Sequence, residues 1–243
     1  MRKAERSPTV LLAIDTTSAD QGLAVLSDGR VAGVQVIRPG ASNTETLTEN
    51  LGRLLSATGF GAPSLSRVAV VTGPGSFSGI RIGMAVAAGL ADALDLPVAG
   101  FNSLELMAFH PLVPDGFLCP LVNAHRGNVY AATYNRAGPL CSEETAPAEM
   151  TPSDFDALLT RVESSGEPFN ALGDTDTLPP EFAQIARRHR SRILRTCVPL
   201  CVLLAQAAAR FPDRAAPGRT MPEAFYIRPP DIRRKPASPT KTG

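Results

Sequence analysis

Arg67-Val-Ala-Val-Val-Thr72, followed by Gly73-Pro-Gly-Ser-Phe-Ser-Gly-Ile-Arg-Ile-Gly83, passes from an apolar run through a glycine-rich turn into a stretch of small residues. The first six residues read as a buried strand, the turn spans Gly73–Gly79, and a helix is predicted from there to about Leu94. Upstream, Val10–Ile14, Gly22–Leu26 and Val31–Ile37 are strand-like, and Asp28-Gly29 makes a hairpin turn between the last two because glycine accepts positive φ without strain. Ser42-Asn-Thr-Glu45 spells a capping box. Leu47, Leu51, Leu54 and Leu55 then recur at helical spacing, and Gly59 closes the run where a left-handed cap is needed.

Downstream, Pro97–Gly100 reads as a short strand and Ser103–Phe109 as a helix, so residues 10–110 follow the order βββαβαβα. A second, less regular half starts with strands at Leu118–Asn123 and Gly127–Tyr134. Thr151-Pro152-Ser-Asp154 caps a helix with proline in its first turn. A strand is predicted at Phe169–Gly173, with helices near Glu181–His189 and Pro199–Arg210. The returning strands imply two related α/β lobes, 10–110 and a smaller, degenerate one over 111–230, joined near 111–117. Residues 1–9 are expected to be flexible and 231–243 disordered, the tail from Ala237 on being almost free of apolar side chains.

Composition bounds the function. The chain has 243 residues, 44% hydrophobic and 19% charged, too apolar for intrinsic disorder. Lys and Arg number 24 against 23 Asp and Glu, so the molecule as a whole does not attract phosphate backbones and any nucleic-acid contact must be local. Four cysteines, at 119, 141, 197 and 201, are too sparse for a disulfide framework and suit a reducing cytoplasm. Cys197 and Cys201 flank Pro199, and His110, His125 and His189 complete no zinc ligand set. The basic start is followed by only five apolar residues before Asp15, which is not a signal sequence, and the longest apolar run, Ile82–Ala91, is too short to span a bilayer.

Four segments invite a chemical reading. Between strand and helix, the Gly73–Gly79 turn could hold an anion on backbone N–H groups, with Gly73, Gly75 and Ser76 as candidates. No lysine follows at Walker A spacing, position 78 is serine rather than glycine, and Pro74 removes one N–H, so the preferred reading is that the glycines allow a close backbone approach. Asp15-Thr16-Thr17 places an acid and hydroxyls at a strand end, as metal and nucleotide hairpins do, yet Asx and Ser/Thr turns account for it equally well. In the following helix Gly79 and Gly83 share a small-residue face with Ala87, and the helix is apolar nearly all round. One packed face cannot explain both sides, so a second partner is indicated. The Leu47/51/54/55 stripe reads first as core, and beside that helix as half of a helical contact with another subunit. Arg187-Arg188-His189-Arg190-Ser-Arg192 opens a run of five arginines in nine residues. Such a run is usually a solvated helix end; with Arg228, Arg233, Arg234 and Lys235 it could form an RNA patch.

Leu11-Leu-Ala-Ile-Asp-Thr-Thr17, Gly73–Gly83, Ala99-Gly-Phe-Asn-Ser-Leu104 and Ala224-Phe-Tyr-Ile-Arg-Pro-Pro230 resemble the TsaB (YeaZ) family, a paralogue of TsaD. The resemblance covers 10–110 well, thins through 140–200 and recovers at 222–230. It implies a two-lobed ASKHA fold, actin/Hsp70/sugar-kinase-like and RNase H-like, with mixed sheets flanked by helices. It also implies a role in placing the threonylcarbamoyl group on the adenosine beside the tRNA anticodon. In that family TsaD carries the metal and the transfer chemistry, TsaB is its required non-catalytic partner, and TsaE is an associated ATPase. The implied contact with TsaD uses the helices at Thr44–Thr58 and Ser76–Leu94, giving Leu47, Leu51, Leu54, Leu55, Gly79, Gly83 and Ala87 as interface residues. A homodimer through the same surface is expected when the chain is alone, no membrane partner is expected, and ATP or ADP is expected only at the complex interface. The chain lacks TsaD's His-x-x-x-His motif, which favours TsaB. It departs from the family's Asp-Ala-Arg-x-Gly-Glu-Val-Tyr string with Asn123, His125 and Asn128, and from a common histidine with Ser42. The rival readings are an ASKHA-type phosphotransferase or ATPase using Asp15 and the Gly73–Gly79 turn, and a peptidase, for which no nucleophile–base pair is visible.

Overall fold

The structure, a computed structural model, describes residues 8–38, 43–138, 140–195, 197–216 and 220–228. The Ser42 cap, the termini and Arg233, Arg234 and Lys235 lie outside the described residues. The chain runs β1 (Val10–Asp15), β2 (Gln21–Ser27), β3 (Arg30–Ile37), α1 (Asn43–Ala57), β4 (Leu65–Gly73), α2 (Phe77–Leu94), β5 (Val98–Asn102) and α3 (Ser103–Ala108). It continues β6 (Gly116–His125), β7 (Asn128–Ala137), β8 (Leu140–Met150), α4 (Pro152–Ser165), β9 (Phe169–Leu172), α5 (Pro180–Arg188), β10 (Ile193–Leu194), α6 (Leu200–Arg210) and β11 (Ala215–Ala216).

Two mixed sheets result, ordered β11-β5-β4-β1-β2-β3 and β10-β9-β6-β7-β8. In the first, β1 pairs antiparallel with β2 and parallel with β4. β1 is buried along its whole length because both of its faces are covered: Val10, Leu12 and Ile14 pack with Leu47, Leu51 and Ala87 of the α1/α2 layer, while Leu11 and Ala13 pack with Cys201, Leu204 and Ala208 of α6. That two-sided burial is why the strand reads as a continuous apolar run rather than an alternating one. The second sheet packs α4 and α5 on one face through Phe155, Leu159, Phe182 and Ile185; α3 packs on the other through Leu104 and Met107. This is the two-lobed, mixed-sheet ASKHA arrangement that the resemblance implies.

One boundary is corrected. The sequence suggests that 111–230 form the second lobe, but α6 lies against β1, β2 and β4, and β11 pairs with β5, so the chain returns to the first sheet after β10. The cause is a core requirement: the face of β1 carrying Leu11 and Ala13 needs a cover that residues 10–110 alone do not supply.

α2 begins at Ser76, whose Oγ accepts from the Gly79 N–H at 3.2 Å, and ends at Asp95 in the left-handed conformation. By length and composition its 18 residues are apolar enough to cross a membrane, which the ten-residue run Ile82–Ala91 alone is not. It lies instead on the first sheet, with Gly79, Ile80, Gly83, Ala87 and Ala91 buried.

Candidate functional site

At the end of β1, Asp15 is buried and its Oδ1 accepts from the Thr17 N–H at 2.9 Å and the Thr17 hydroxyl at 2.7 Å. Burial pushes the Asp15 carboxyl above its ordinary value, against the pull of the two Thr17 bonds. Thr16 Oγ1 donates to the Gly79 carbonyl at 2.7 Å, and the Ser76 N–H donates to the Thr17 carbonyl at 2.7 Å. The two loops therefore lie directly on each other. A Cβ on Gly79 would sit 1.8 Å from the Thr16 carbonyl oxygen, one on Gly83 2.4 Å from Thr16 Oγ1, and one on Gly75 2.4 Å from the Thr17 carbonyl oxygen.

These distances decide between the two readings of the glycine-rich turn. Asp15, Thr16, Thr17, Gly73, Gly75 and Ser76 do come together, but as a joint: the Ser76 and Gly79 N–H groups and the Thr17 donors are spent inside the chain. The small side chains are needed for backbone contact, and the anion-holding reading gains nothing from this geometry.

In front of the joint lies a cleft of ≈ 460 Å³ between the lobes. It is lined by 74–78 of the turn, by Ala124, His125, Arg126 and Tyr130 of the β6–β7 hairpin, and by 225–228 of the C-terminal segment. That last segment straps the lobes together. The Phe225 N–H donates to the Thr72 carbonyl at 2.8 Å, and the Phe225 carbonyl oxygen would be 2.5 Å from a Cβ on Gly73, whose φ is +115°. On the other side, Arg228 holds Glu149 of β8 in a two-pronged ion pair, with Nε on Oε2 at 3.0 Å and Nη2 on Oε1. Asn128 Nδ2 also donates to Glu149 Oε1, at 2.5 Å. Arg228 first, and Asn128 second, hold the Glu149 carboxyl below the usual carboxylate range. The Phe77 and Tyr226 rings pack with centroids 5.0 Å apart, and the Arg81 guanidinium lies 3.7 Å over Phe77.

The hairpin tip is held in an uncommon conformation, with φ of +61° at His125, +56° at Arg126 and +82° at Gly127. Asn123 shapes it: Oδ1 accepts from the His125 N–H at 2.7 Å, and Nδ2 donates to the Thr177 carbonyl at 2.5 Å. The two departures from a carboxylate thus have a physical reason in this chain. Asn123 and Asn128 each donate to an acceptor, which a carboxylate in the same place would not do.

The expected interface residues require a correction. Leu47, Leu51, Leu54 and Leu55 are buried in the chain's own core, as are Gly79, Gly83 and Ala87 against β1 and the joint. They are unavailable to a partner. What α2 turns outward is Ser78, Arg81, Ala85, Gly89, Asp92 and Ala93, flanked by half-buried Ile82, Met84, Val86 and Leu90. Gly89 has open space above it. Beside it, the outer face of α1 is polar, with Glu49 and Arg53 paired at 2.5 Å.

The arginine run divides at the end of α5. Arg188 pairs with Asp156 at 3.2 Å, and Arg195 with Asp174 and Asp176 at 3.3 and 2.8 Å. His189 bridges two carboxylates of α4, Nδ1 to Glu163 and Nε2 to Asp156, each at 3.0 Å. Glu163 and then Asp156 raise the imidazole above its ordinary value. A raised folded-state value means that the stabilisation is complete at acid pH and is lost as pH rises through that value. His189→Gln is accordingly expected to lower the urea midpoint at pH 6 and to matter less at pH 9, measured by circular dichroism. Among the described residues, no group of three or more His, Cys, Asp or Glu is placed to hold a metal ion.

Compared with curated proteins, the chain is 29% identical over 174 residues to the tRNA threonylcarbamoyladenosine biosynthesis protein TsaB of Bacillus subtilis (strain 168), covering 72% of this chain and 75% of that protein. It is 33% identical over 128 residues to the TsaB of Escherichia coli (strain K12), covering 52% of this chain and 55% of that one. The chain belongs to the TsaB (YeaZ) family. The family model described as TsaD, tRNA N6-adenosine threonylcarbamoyltransferase, matches residues 41–160, in keeping with the paralogy of TsaB and TsaD. The matched stretch contains 73–83 and the β6–β7 hairpin, and excludes the strap at 225–228. A crystal structure described as an uncharacterized protein with similarity to peptidase YEAZ, from Pseudomonas aeruginosa, superimposes with a TM-score of 0.71 at 21% identity. It covers 90% of this chain and all of that one, which establishes the shared TsaB-type fold.

Proposed function

We propose that this chain is a non-catalytic subunit in tRNA threonylcarbamoyladenosine biosynthesis, docking on TsaD in the cytoplasm through the outer face of α2. The observation that carries the reading is the composition of that face. Ala85 and Gly89 leave a strip without bulk between apolar flanks, and the sheet-facing side of the same helix is already filled. A second helix can approach such a strip closely, and a stable contact of about 1,600 Å² in total is of the size expected for a specific complex. TsaE and tRNA meet the chain through that assembly, nucleotide belongs to the assembled complex, and in the absence of TsaD a second copy would pair on the same face. Depleting the protein in its host, followed by mass spectrometry of tRNA nucleosides, tests the pathway. Loss of N6-threonylcarbamoyladenosine, restored by the wild-type gene, is expected; an unchanged level would remove the proposal.

The rival phosphotransferase needs Asp15 and the glycine-rich turn to face a nucleotide. Their hydrogen bonds face each other instead. With ATP and magnesium, the isolated chain is expected to show no hydrolysis that Asp15→Ala abolishes; robust, Asp15-dependent phosphate release would favour the rival.

A further inference from the structure

The α2 face leaves the most basic part of the chain unused. Of the five arginines between 187 and 195, two are paired with carboxylates, as is His189. Arg187, Arg190 and Arg192 are exposed and have no carboxylate partner among the described residues. Arg188 pairs with Asp156, and His189 sits between Asp156 and Glu163. Arg187, Arg190 and Arg192 are therefore the guanidiniums of the run that no carboxylate among the described residues engages. Arg190 moreover has a φ of +50°, in the left-handed region that non-glycine residues rarely adopt. The strained turn sets Arg190 and Arg192 on the rim of a cleft of ≈ 470 Å³, between the end of α4, the start of β9 and the α5–β10 link.

The cleft has two kinds of wall. Its apolar side chains are Leu159, Val162, Phe169 and Leu194; Asn170 and Ser191 supply hydrogen-bonding groups, and Glu167 is the one lining carboxylate outside the His189 bridge. Apolar walls under a cationic rim match a strand that offers bases and phosphates together, since guanidinium pairs with phosphate through two parallel N–H bonds and an unstacked base has a flat apolar face.

We propose that this cleft binds the phosphodiester backbone of a folded RNA, with Arg187, Arg190 and Arg192 as the phosphate contacts and an unstacked base seated between Val162 and Phe169. It rests on the proposed function, in which that RNA is tRNA, and gives the second lobe the task of presenting it. The site lies on the α4/α5 layer of the second sheet, whereas docking uses α2 on the first, so the two are separable by mutation.

The test is titration of a fluorescently labelled tRNA transcript with the full chain at 50 to 200 mM salt. Wild type is compared with the triple variant Arg187→Gln, Arg190→Gln, Arg192→Gln, and with Arg53→Gln on α1 as a control. Each phosphate contact contributes roughly 0.7–0.9 to the slope of log affinity against log salt, so the triple variant is expected to lose about 2 to 3 of that slope and at least tenfold in affinity at 50 mM. Arg53→Gln is expected to match wild type. Absence of salt-dependent RNA binding by the wild-type chain would overturn the proposal, as would an unchanged slope in the triple variant. Displacement of the RNA by polyglutamate at equal charge concentration would also overturn it, and would assign the patch to an acidic protein surface. Unchanged circular dichroism and unchanged co-purification with TsaD would show that a negative result concerns this site and not the docking reading.

Discussion

Gly79→Ala is expected to destabilise the protein by about 3 kcal/mol or more, although it replaces glycine in the first turn of a helix by the residue with the best helix propensity. The reason is the joint. The added methyl would lie 1.8 Å from the Thr16 carbonyl oxygen, against backbone that cannot swing aside as a long side chain can. Relief requires α2 to lift from β1, breaking the 2.7 Å bond from Thr16 Oγ1 to the Gly79 carbonyl and exposing the core beneath Ala87. Urea unfolding beside Gly89→Ala makes the comparison internal. Gly89 has open space, so its alanine variant is expected to be neutral or up to about 1 kcal/mol more stable. Equal midpoints for the two variants would contradict the joint.

The second large effect belongs to function rather than stability. Gly89→Arg is expected to fold with a melting temperature at or above wild type, because arginine is a better helix former and meets nothing within 4 Å. In a depleted host, however, it should fail to restore tRNA N6-threonylcarbamoyladenosine, with at least a tenfold deficit. A long cationic side chain in the middle of the bare strip keeps a second helix away and would be buried without a counter-charge. Gly83 and Ala87 are unsuitable for this purpose. Both are buried, and a bulky residue at Gly83 would strike Thr16, so lost activity there would report only a damaged fold.

The contrast between these glycines shows how far the residues can be read without coordinates. The order of the first lobe is legible because its signals are local: the apolar β1, the Asp28-Gly29 turn and the leucine spacing of α1 each announce an element within a few residues. Which face of α2 is taken is not legible, because Gly79, Gly83 and Ala87 look like a vacant strip until Thr16 is seen lying in it. The strip left open is instead Ala85 and Gly89, about half a turn away on the opposite side of the helix. β8 escapes detection because its Leu140–Met150 sequence holds three glutamates and Pro147, poor strand formers that are tolerated on the edge of a sheet. With β8 goes Glu149, so the clamp on Arg228 and Asn128 has no local signal. The return of α6 to the first sheet likewise depends on a long-range need for cover that no window of sequence displays.

Calorimetric titration of the host's TsaD into the isolated full-length chain tests the central claim, that this protein works through the outer face of α2. The account predicts binding at micromolar affinity or tighter with a negative heat-capacity change, abolished in Gly89→Arg and unchanged in Arg126→Gln at the inter-lobe cleft. Wild-type affinity in Gly89→Arg, or loss of binding in Arg126→Gln instead, would contradict it.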